Sequence, residues 1–327
     1  MKTRITFVLA LGATIGANGQ GCSDAGVCSA GPIGQLPLWQ DSTADVVDYR
    51  HYAKVMYSYA VGEQGVIIQQ VQPELNFGIT ERWSAQVKVP YVSARGNLGE
   101  NSGIGDMILS TSYAFRQKEN QDLTALAGLR IPTGSAGPSS INQVVFGPEA
   151  SSLPMPYQTG LGTLDLLLGL QYRQQRWTWA VAYQHVLSQH SQSAFLYSSW
   201  NGDRDALGYF ESFDLERADD LVARIQYAYG CGRLALQPGL LAIYHVARDS
   251  RLEMVSGPMD MGMSMFERRD VQGSDGLTLN ITADLRYKLA EHWAVEALFG
   301  TPVITREVRP DGLTRSLVTG LALRYRF

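Results

Sequence analysis

From about residue 50 to the end of the chain, apolar and polar side chains alternate with a period of two, in segments of about 10 to 14 residues. In the segment that begins at Ile67, Val71, Leu75 and Phe77 fall on one face, and mainly Gln, Glu and Asn fall on the other. Successive side chains of an extended strand point to opposite faces, so this pattern predicts strands with one apolar and one polar face.

The alternation predicts about twelve strands. Their expected ranges are 50–60, 67–79, 82–92, 104–115, 122–132, 163–173, 176–187, 219–229, 233–246, 276–288, 292–303 and 313–327. The connections after even-numbered strands are short, whereas three of those after odd-numbered strands reach about 30 residues. Short turns at one end and long loops at the other are typical of bacterial outer-membrane barrels. The expected fold is therefore an all-β, transmembrane antiparallel β-barrel with periplasmic termini and long external loops.

The bulk composition agrees with such a barrel and argues against other classes. The mean hydropathy is −0.10, and no run of about 18 apolar residues follows the first twenty positions, which excludes a helical membrane protein. A barrel is compatible with this value, because lipid-facing and lumen-facing residues alternate and their hydropathies cancel. The net charge is −4 and no basic cluster is present, so nucleic acid is not an expected partner.

The first 49 residues precede the expected barrel and divide into two parts. Residues 1–19 combine Lys2 and Arg4 with an apolar run and then small residues, which predicts a cleaved signal peptide. Residues 20–49 lack a strand-like period, and we expect them to form a periplasmic or lumenal segment. The barrel itself is expected over 50–327.

Because the chain is expected to be exported, its cysteines are candidates for disulfides, which persist in the periplasm and outside the cell. Cys22 and Cys28 lie close enough in sequence to close a small loop, whereas Cys231 is alone in a tight turn. A disulfide between Cys22 and Cys28 is favoured over free thiols or a metal site, and acylation of Cys22 is an open alternative. Two cysteines without nearby histidines make a poor zinc site, so no metal is predicted there.

The polar faces of the expected strands carry charges of both signs. A buried sandwich core would not tolerate such charges unpaired, whereas a watery lumen would. In a barrel of about twelve strands they can either line an aqueous path or pair with one another and fill the interior. The lumen-lining candidates are Glu74, Arg82, Lys88, Asp106, Arg130, Asp165, Arg173, Arg224, Arg286 and Glu296.

Two of the long external loops have unusual compositions. One is rich in aromatic residues, which suggests a lid folded inward or a ligand platform, or else loops that simply pack on each other. The other carries methionine at every second position, a pattern that suits an apolar gate, a soft ion such as Cu(I), or no specific role. The external-loop gate candidates are Trp200, Tyr209, Phe210, Met259, Met261, Met263 and Met265.

Four motifs occur in order between about residues 64 and 187. They are "NFGITERWSAQVKVPYV", Ser102-Gly103-Ile104-Gly105-Asp106, "LAGLRIPTGSAG" and "TGLGTLDLLLGLQY". Together they resemble the outer-membrane family of transporter β-barrels named after the meta-pathway of phenol degradation. The resemblance implies a monomeric barrel that passes small, often apolar or aromatic, compounds across the outer membrane. It implies no catalytic residue and no cofactor.

The chain ends on an alternating strand with a terminal aromatic residue, Phe327. Such an ending resembles the signal by which outer-membrane proteins are handed to the barrel-insertion machinery. The expected location is therefore the outer membrane of a Gram-negative cell, with membrane lipid, the insertion machinery and a small solute as partners.

We therefore expect a channel that passes small solutes by passive diffusion and is not an enzyme. His185, Ser188 and His190 lie near one strand end, but the sequence reveals no acid partner for them. The alternative function is a closed barrel whose external loops serve a structural, adhesion or copper-binding role.

Overall fold

The computed structural model describes residues 51–118, 121–144, 147–189, 192–256, 264–312 and 315–327. The predictions for residues 1–19 and 20–49, including the pairing of Cys22 and Cys28, lie outside these residues. Within the described part of the chain, no helix has the length and apolar character needed to cross a membrane.

The described residues contain nineteen strands and four short 3-10 turns, joined by turns and irregular loops. The strands are β1 (Tyr52–Val61), β2 (Ile67–Gly78), β3 (Trp83–Lys88), β4 (Tyr91–Gly96), β5 (Gly99–Ile104), β6 (Met107–Lys118), β7 (Gln121–Ile131), β8 (Ser139–Val144), β9 (Gly147–Ser152), β10 (Thr163–Gln174), β11 (Trp177–Gln189), β12 (Asp220–Tyr227), β13 (Tyr229–Cys231), β14 (Leu234–His245), β15 (Ser250–Ser256), β16 (Ser264–Asp270), β17 (Gly276–Lys288), β18 (Trp293–Ile304) and β19 (Leu317–Arg326). The 3-10 turns are Glu63–Gly65, Met155–Tyr157, Tyr197–Trp200 and Ala206–Gly208.

The barrel wall closes because the first and last strands pair with each other. Around the barrel the order is β1, β19, β18, β17, β14, β12, β11, β10, β7, β6, β3 and β2, and β2 pairs with β1. Every pairing is antiparallel, so the prediction of a barrel of about twelve antiparallel strands is confirmed. The hairpins β8–β9 and β15–β16 form separate two-stranded sheets within the long external loops.

Two wall strands are each interrupted once. Val89 and Pro90 separate β3 from β4, and both pieces pair with β2. Gly105 and Asp106 separate β5 from β6. Proline has no N–H to donate to a ladder and glycine weakens a strand interior, so these interruptions follow from the sequence.

The outer surface carries an apolar belt with aromatic residues at the short-turn end. Aliphatic side chains such as Val181 and Leu321 are exposed on the outward face. Trp83 and Tyr113 lie 4.9 Å apart between ring centroids, and Trp293 and Tyr325 lie 4.8 Å apart. Rings with an apolar body and a polar tip suit a membrane interface, so the belt and this girdle are those of a barrel embedded in lipid.

The inward faces hold the buried side chains, so the core of this protein is the barrel interior. Along β2, Ile68, Gln70, Gln72 and Glu74 are buried, whereas the residues between them are exposed. The polar face of each alternating segment therefore points into the barrel, and the apolar face points outward.

Candidate permeation path and its external lid

Four aromatic side chains from two external loops are buried at the external mouth of the barrel. Tyr157, Phe195, Trp200 and Tyr209, here called the aromatic lid, are each no more than 4% exposed. The Phe195 ring lies 6.4 Å from that of Tyr209 and 6.5 Å from that of Trp200. Inward-facing apolar residues of the wall complete the cluster: Ala60, Ile68, Val92, Ala94 and Val318.

Hydrogen bonds hold the aromatic lid in one arrangement. The hydroxyl groups of Tyr157 and Tyr209 lie 3.1 Å apart, and the backbone N–H of Leu98 donates to Tyr157 Oη at 3.1 Å. Trp200 Nε1 donates to the carbonyl oxygen of Ser152 at 2.9 Å. Burial raises the pKa of the Tyr209 phenol well above its ordinary value, so it keeps its proton. The lid is a closed cluster in this structure.

Asp106 fixes the loop that carries Tyr157. Its carboxylate accepts hydrogen bonds from the backbone N–H of Gly134 at 3.1 Å and of Leu161 at 2.8 Å. A Cβ atom at Gly160 would overlap this carboxylate, so the backbone can come this close only because that residue is glycine. Asp106 therefore positions the loop as well as bordering the lumen.

A cavity of about 90 Å³ lies below the lid. The wall contributes Gln70, Gln72 and Ile108, and the loop contributes Met155 and Gln158 among other residues. The side-chain oxygen of Gln158 is buried there without a described hydrogen-bond partner. The lining thus offers both apolar surface and polar groups to a small molecule.

Eight aliphatic side chains form a buried apolar cluster in one half of the barrel interior, on strands that also carry inward charged residues such as Arg130 and Arg224. We call it the apolar wall, and it is formed by inward side chains of six adjacent strands, β6, β7, β10, β11, β12 and β14. Its buried members are Ile108, Leu126, Leu167, Ala180, Ala182, Val222, Leu241 and Ile243.

The other six adjacent strands, β17, β18, β19, β1, β2 and β3, carry a cluster of charges near the periplasmic end. We call it the charged wall, and its members are Lys54, Glu74, Lys88, Arg286, Glu296 and Arg324. The register places Glu74 opposite Lys54 on one side and Lys88 on the other, which explains why all three meet.

The charged wall contains four basic side chains around two carboxylates. Lys54 Nζ and Lys88 Nζ lie 2.9 Å and 3.2 Å from the same oxygen of Glu74. Arg286 and Arg324 both donate to one oxygen of Glu296, at 2.7 Å and 2.9 Å. Alternation alone predicted that Glu74, Lys88, Arg286 and Glu296 face inward, but it did not predict this sharing.

The other lumen-lining candidates are placed differently. Arg130 forms an ion pair with Asp165 near the external end of the barrel. Arg173 pairs with Asp122 at the periplasmic end, and Arg224 donates to Asp284 at 2.6 Å.

Arg82 does not join any of these groups. It is exposed in the turn between β2 and β3, because β3 begins one residue later than the predicted strand. Apolar and polar residues thus keep alternating in the sequence past the point where strand pairing stops.

The external-loop gate candidates lie in different parts of the structure. Trp200 and Tyr209 belong to the aromatic lid, whereas Phe210 is half-buried beneath the guanidinium group of Arg251, 4.5 Å from its ring centroid. Met259, Met261 and Met263 lie outside the described residues, and Met265 is in β16. The apolar-gate and copper-binding roles of this loop stay predictions.

A buried polar cluster joins three external loops at the mouth, and no sequence pattern predicted it. The two ring nitrogens of His245 each lie 2.7 Å from a carboxylate oxygen, one of Asp220 and one of Asp249. Arg306 donates to Asp311 at 2.9 Å. Although burial alone acts in the opposite sense, Arg306 and nearby basic groups hold the pKa of Asp311 well below its usual range.

Arg217 completes this external polar cluster, 3.3 Å from carboxylate oxygens of Asp220 and Asp311. Its members come from β12, β14 and irregular loop segments, so no periodic pattern marks them. The sequence did not predict this cluster, because an isolated Asp or Arg in a loop has the same sequence context whether its side chain is solvated or buried.

His185 has an acid partner that the sequence did not reveal. Its Nδ1 lies 2.8 Å from Asp219 Oδ2, and the imidazole is exposed. Among the described contacts, no hydrogen bond joins His185 to Ser188, and His190 lies outside the described residues. A nucleophile and base are therefore not seen in contact.

Comparison with known proteins identifies the fold. No family model and no curated protein matches the chain. A solved outer-membrane channel from Pseudomonas putida F1 superposes with a TM-score of 0.55 at 16% identity, covering 87% of this chain and 100% of that one. The NanC porin aligns with a TM-score of 0.43 at 8% identity, covering 84% of this chain and 100% of that one. The KdgM porin, solved in complex with disordered oligogalacturonate, gives 0.42 at 8% identity, with coverages of 84% and 99%.

The similarity to the Pseudomonas putida channel fits the family resemblance seen in the sequence motifs, at the level of fold. The apolar belt supplies independent physical evidence for a position in lipid. The chain is accordingly a membrane-embedded twelve-stranded β-barrel with the fold of outer-membrane barrels.

Proposed function

We propose that this barrel passes small solutes across the outer membrane by passive diffusion. The observation that carries the proposal is the cavity below the aromatic lid, where wall residues such as Gln70 and Ile108 meet loop residues such as Gln158. A solute would enter beside the lid, occupy this cavity, and continue between the apolar wall and the charged wall. No covalent step and no cofactor is needed for such a path.

The alternative is a closed barrel with a structural or adhesion role. It is favoured by the tight packing of the aromatic lid and by the external polar cluster, since both hold the long loops over the mouth. In the channel model the lid must open, at least transiently, and in the closed-barrel model it need not.

Liposome swelling with the purified full-length protein separates the two functions. A channel gives swelling rates that depend on solute size, and Trp200→Ala should raise those rates because it removes the largest ring of the lid. Trp179→Ala is the matched control, since Trp179 lies on the outward face. Swelling no faster than in protein-free liposomes, for both wild type and Trp200→Ala, would favour the closed barrel.

A further inference from the structure

The charged wall and the apolar wall face each other across the interior, since each occupies six consecutive strands of the twelve. We infer that the preferred solute is a small amphipathic organic anion, with an apolar body and a single negatively charged group. This inference rests on the proposed channel function and adds the solute's chemical class to it.

The negative charge of the solute is inferred from the composition of the charged wall. Among the described residues, Lys54, Lys88, Arg286 and Arg324 are grouped around the carboxylates of Glu74 and Glu296. A third inward carboxylate of these strands, Asp284, is matched by Arg224. All four basic side chains are buried or nearly so, where charges interact more strongly than in water. An excess of one sign of charge inside a low-dielectric passage attracts the opposite charge from solution.

This excess is local rather than a general property of the interior. Two inward pairs of the other strands are described one to one, Arg130 with Asp165 and Arg173 with Asp122. A third pair, Arg224 with Asp284, joins β12 to β17 beside the charged wall. Among the described ion pairs, the excess of basic groups therefore lies in the periplasmic half of six strands.

The external polar cluster does not repeat the excess. It contains three carboxylates, those of Asp220, Asp249 and Asp311. These face three basic groups, His245, Arg217 and Arg306. An anion that has passed the mouth thus meets its most favourable electrostatic environment deeper in the barrel.

The apolar body of the solute is inferred from the opposite half of the interior. Leu167 and Leu241 are fully buried there, with Ile108, Leu126 and Val222 beside them. Small-molecule sites are lined mainly by apolar side chains with a few polar groups that set orientation. A solute between the two walls would direct its charge toward Lys88 and Arg324 and its body toward these aliphatic residues.

The test is the reversal potential of the full-length protein in planar bilayers under salt gradients. Sodium benzenesulfonate supplies an anion with an apolar body, sodium methanesulfonate supplies the charge without that body, and phenyltrimethylammonium chloride supplies the body with the opposite charge. We expect benzenesulfonate to be on the order of tenfold more permeant than phenyltrimethylammonium. We also expect benzenesulfonate to block or slow methanesulfonate current, because it binds more strongly.

Two substitutions should move this selectivity in opposite directions. Lys88→Gln should lower the preference for anions, and it leaves Glu74 paired with Lys54 at 2.9 Å, so no buried carboxylate is stranded. Glu296→Gln should raise the preference, because two arginines then share an uncharged amide. Lys288→Gln is the matched control, since Lys288 is exposed at the periplasmic end of β17. Heat-dependent migration on a gel verifies that each variant is folded.

The failures of the two proposals are distinguishable. Conductance with no ionic preference or a cation preference, or a Lys88→Gln variant as selective as Lys288→Gln, overturns the inference and leaves the channel standing. Equal permeation by benzenesulfonate and methanesulfonate overturns the apolar-body part. No conductance with any salt overturns the channel function, and the inference with it.

Discussion

Tyr157 and Tyr209 come from two different external loops and bring their hydroxyl oxygens to within 3.1 Å of each other inside the barrel mouth. Each is almost completely buried, so the contact holds the two loops together at the mouth. The lid is therefore built from residues about fifty positions apart, and a change in either loop should alter access to the lumen.

Tyr157 lies close to β4, so a larger residue in that strand should displace the lid. A Cβ atom at Gly96 would overlap the Tyr157 hydroxyl, so Gly96→Ala should displace the ring and increase conductance or solute-dependent swelling several-fold. Gly300→Ala is the control, because nothing lies within 4 Å of a Cβ atom there. Equal rates for the two variants would show that the Tyr157 position does not limit passage.

Glu63, in the external turn between β1 and β2, should make stability depend on pH. Burial, partly offset by Arg309, raises its pKa from 4.5 to about 7. The unfolded chain ionises Glu63 near pH 4.5 while the folded protein keeps its proton, so this contribution favours folding below pH 4.5 and is lost as the pH rises through 7.

Wild-type protein should therefore lose on the order of 2 kcal/mol of unfolding free energy, relative to Glu63→Gln, between pH 4.5 and pH 8. Urea unfolding in detergent, followed by the heat-dependent gel shift, measures the difference. Glu100→Gln, at an exposed position of the same end, should follow the wild-type profile. Parallel pH profiles for wild type and Glu63→Gln would contradict the assignment.

His245 is expected to stabilise the external loops strongly. Its replacement by alanine leaves Asp220 and Asp249 buried without the cation that both contact, so the free energy of unfolding should fall by about 3–5 kcal/mol. His185→Ala removes an exposed ion pair with Asp219 and should cost less than about 1 kcal/mol. Similar losses for the two variants, measured by urea unfolding, would argue that the buried cluster contributes no more than a surface pair.

Phe327 should matter for assembly more than for the folded state. Its ring is exposed and lies 5.8 Å from that of Phe77 and 6.0 Å from that of His51 between centroids. We expect Phe327→Ala to reduce the amount of protein in the outer membrane several-fold and to change the free energy of unfolding little. Phe299→Ala, an exposed ring within β18, should not reduce the membrane level. Normal levels of the Phe327 variant would remove the proposed role as an insertion signal.

The fold was predictable to a large extent because its main signal is local. Period-two alternation and loop lengths indicated the twelve wall strands. Errors arose at strand ends, as at Arg82, where the alternation continues although the ladder has stopped. Hydrogen bonding between strands, which decides where a ladder ends, is not encoded in the alternation of a single strand.

The sequence by itself determined which side chains of each strand share a face, because a strand's geometry makes that a property of neighbouring residues. It thus placed Glu74, Lys88, Arg286 and Glu296 on polar faces. Only the closed barrel decided that two glutamates serve four basic side chains, that aliphatic residues of six other strands face them, and that His245 lies between Asp220 and Asp249. These contacts join residues far apart in the chain, and they arise only when strand pairing and loop packing bring those residues together.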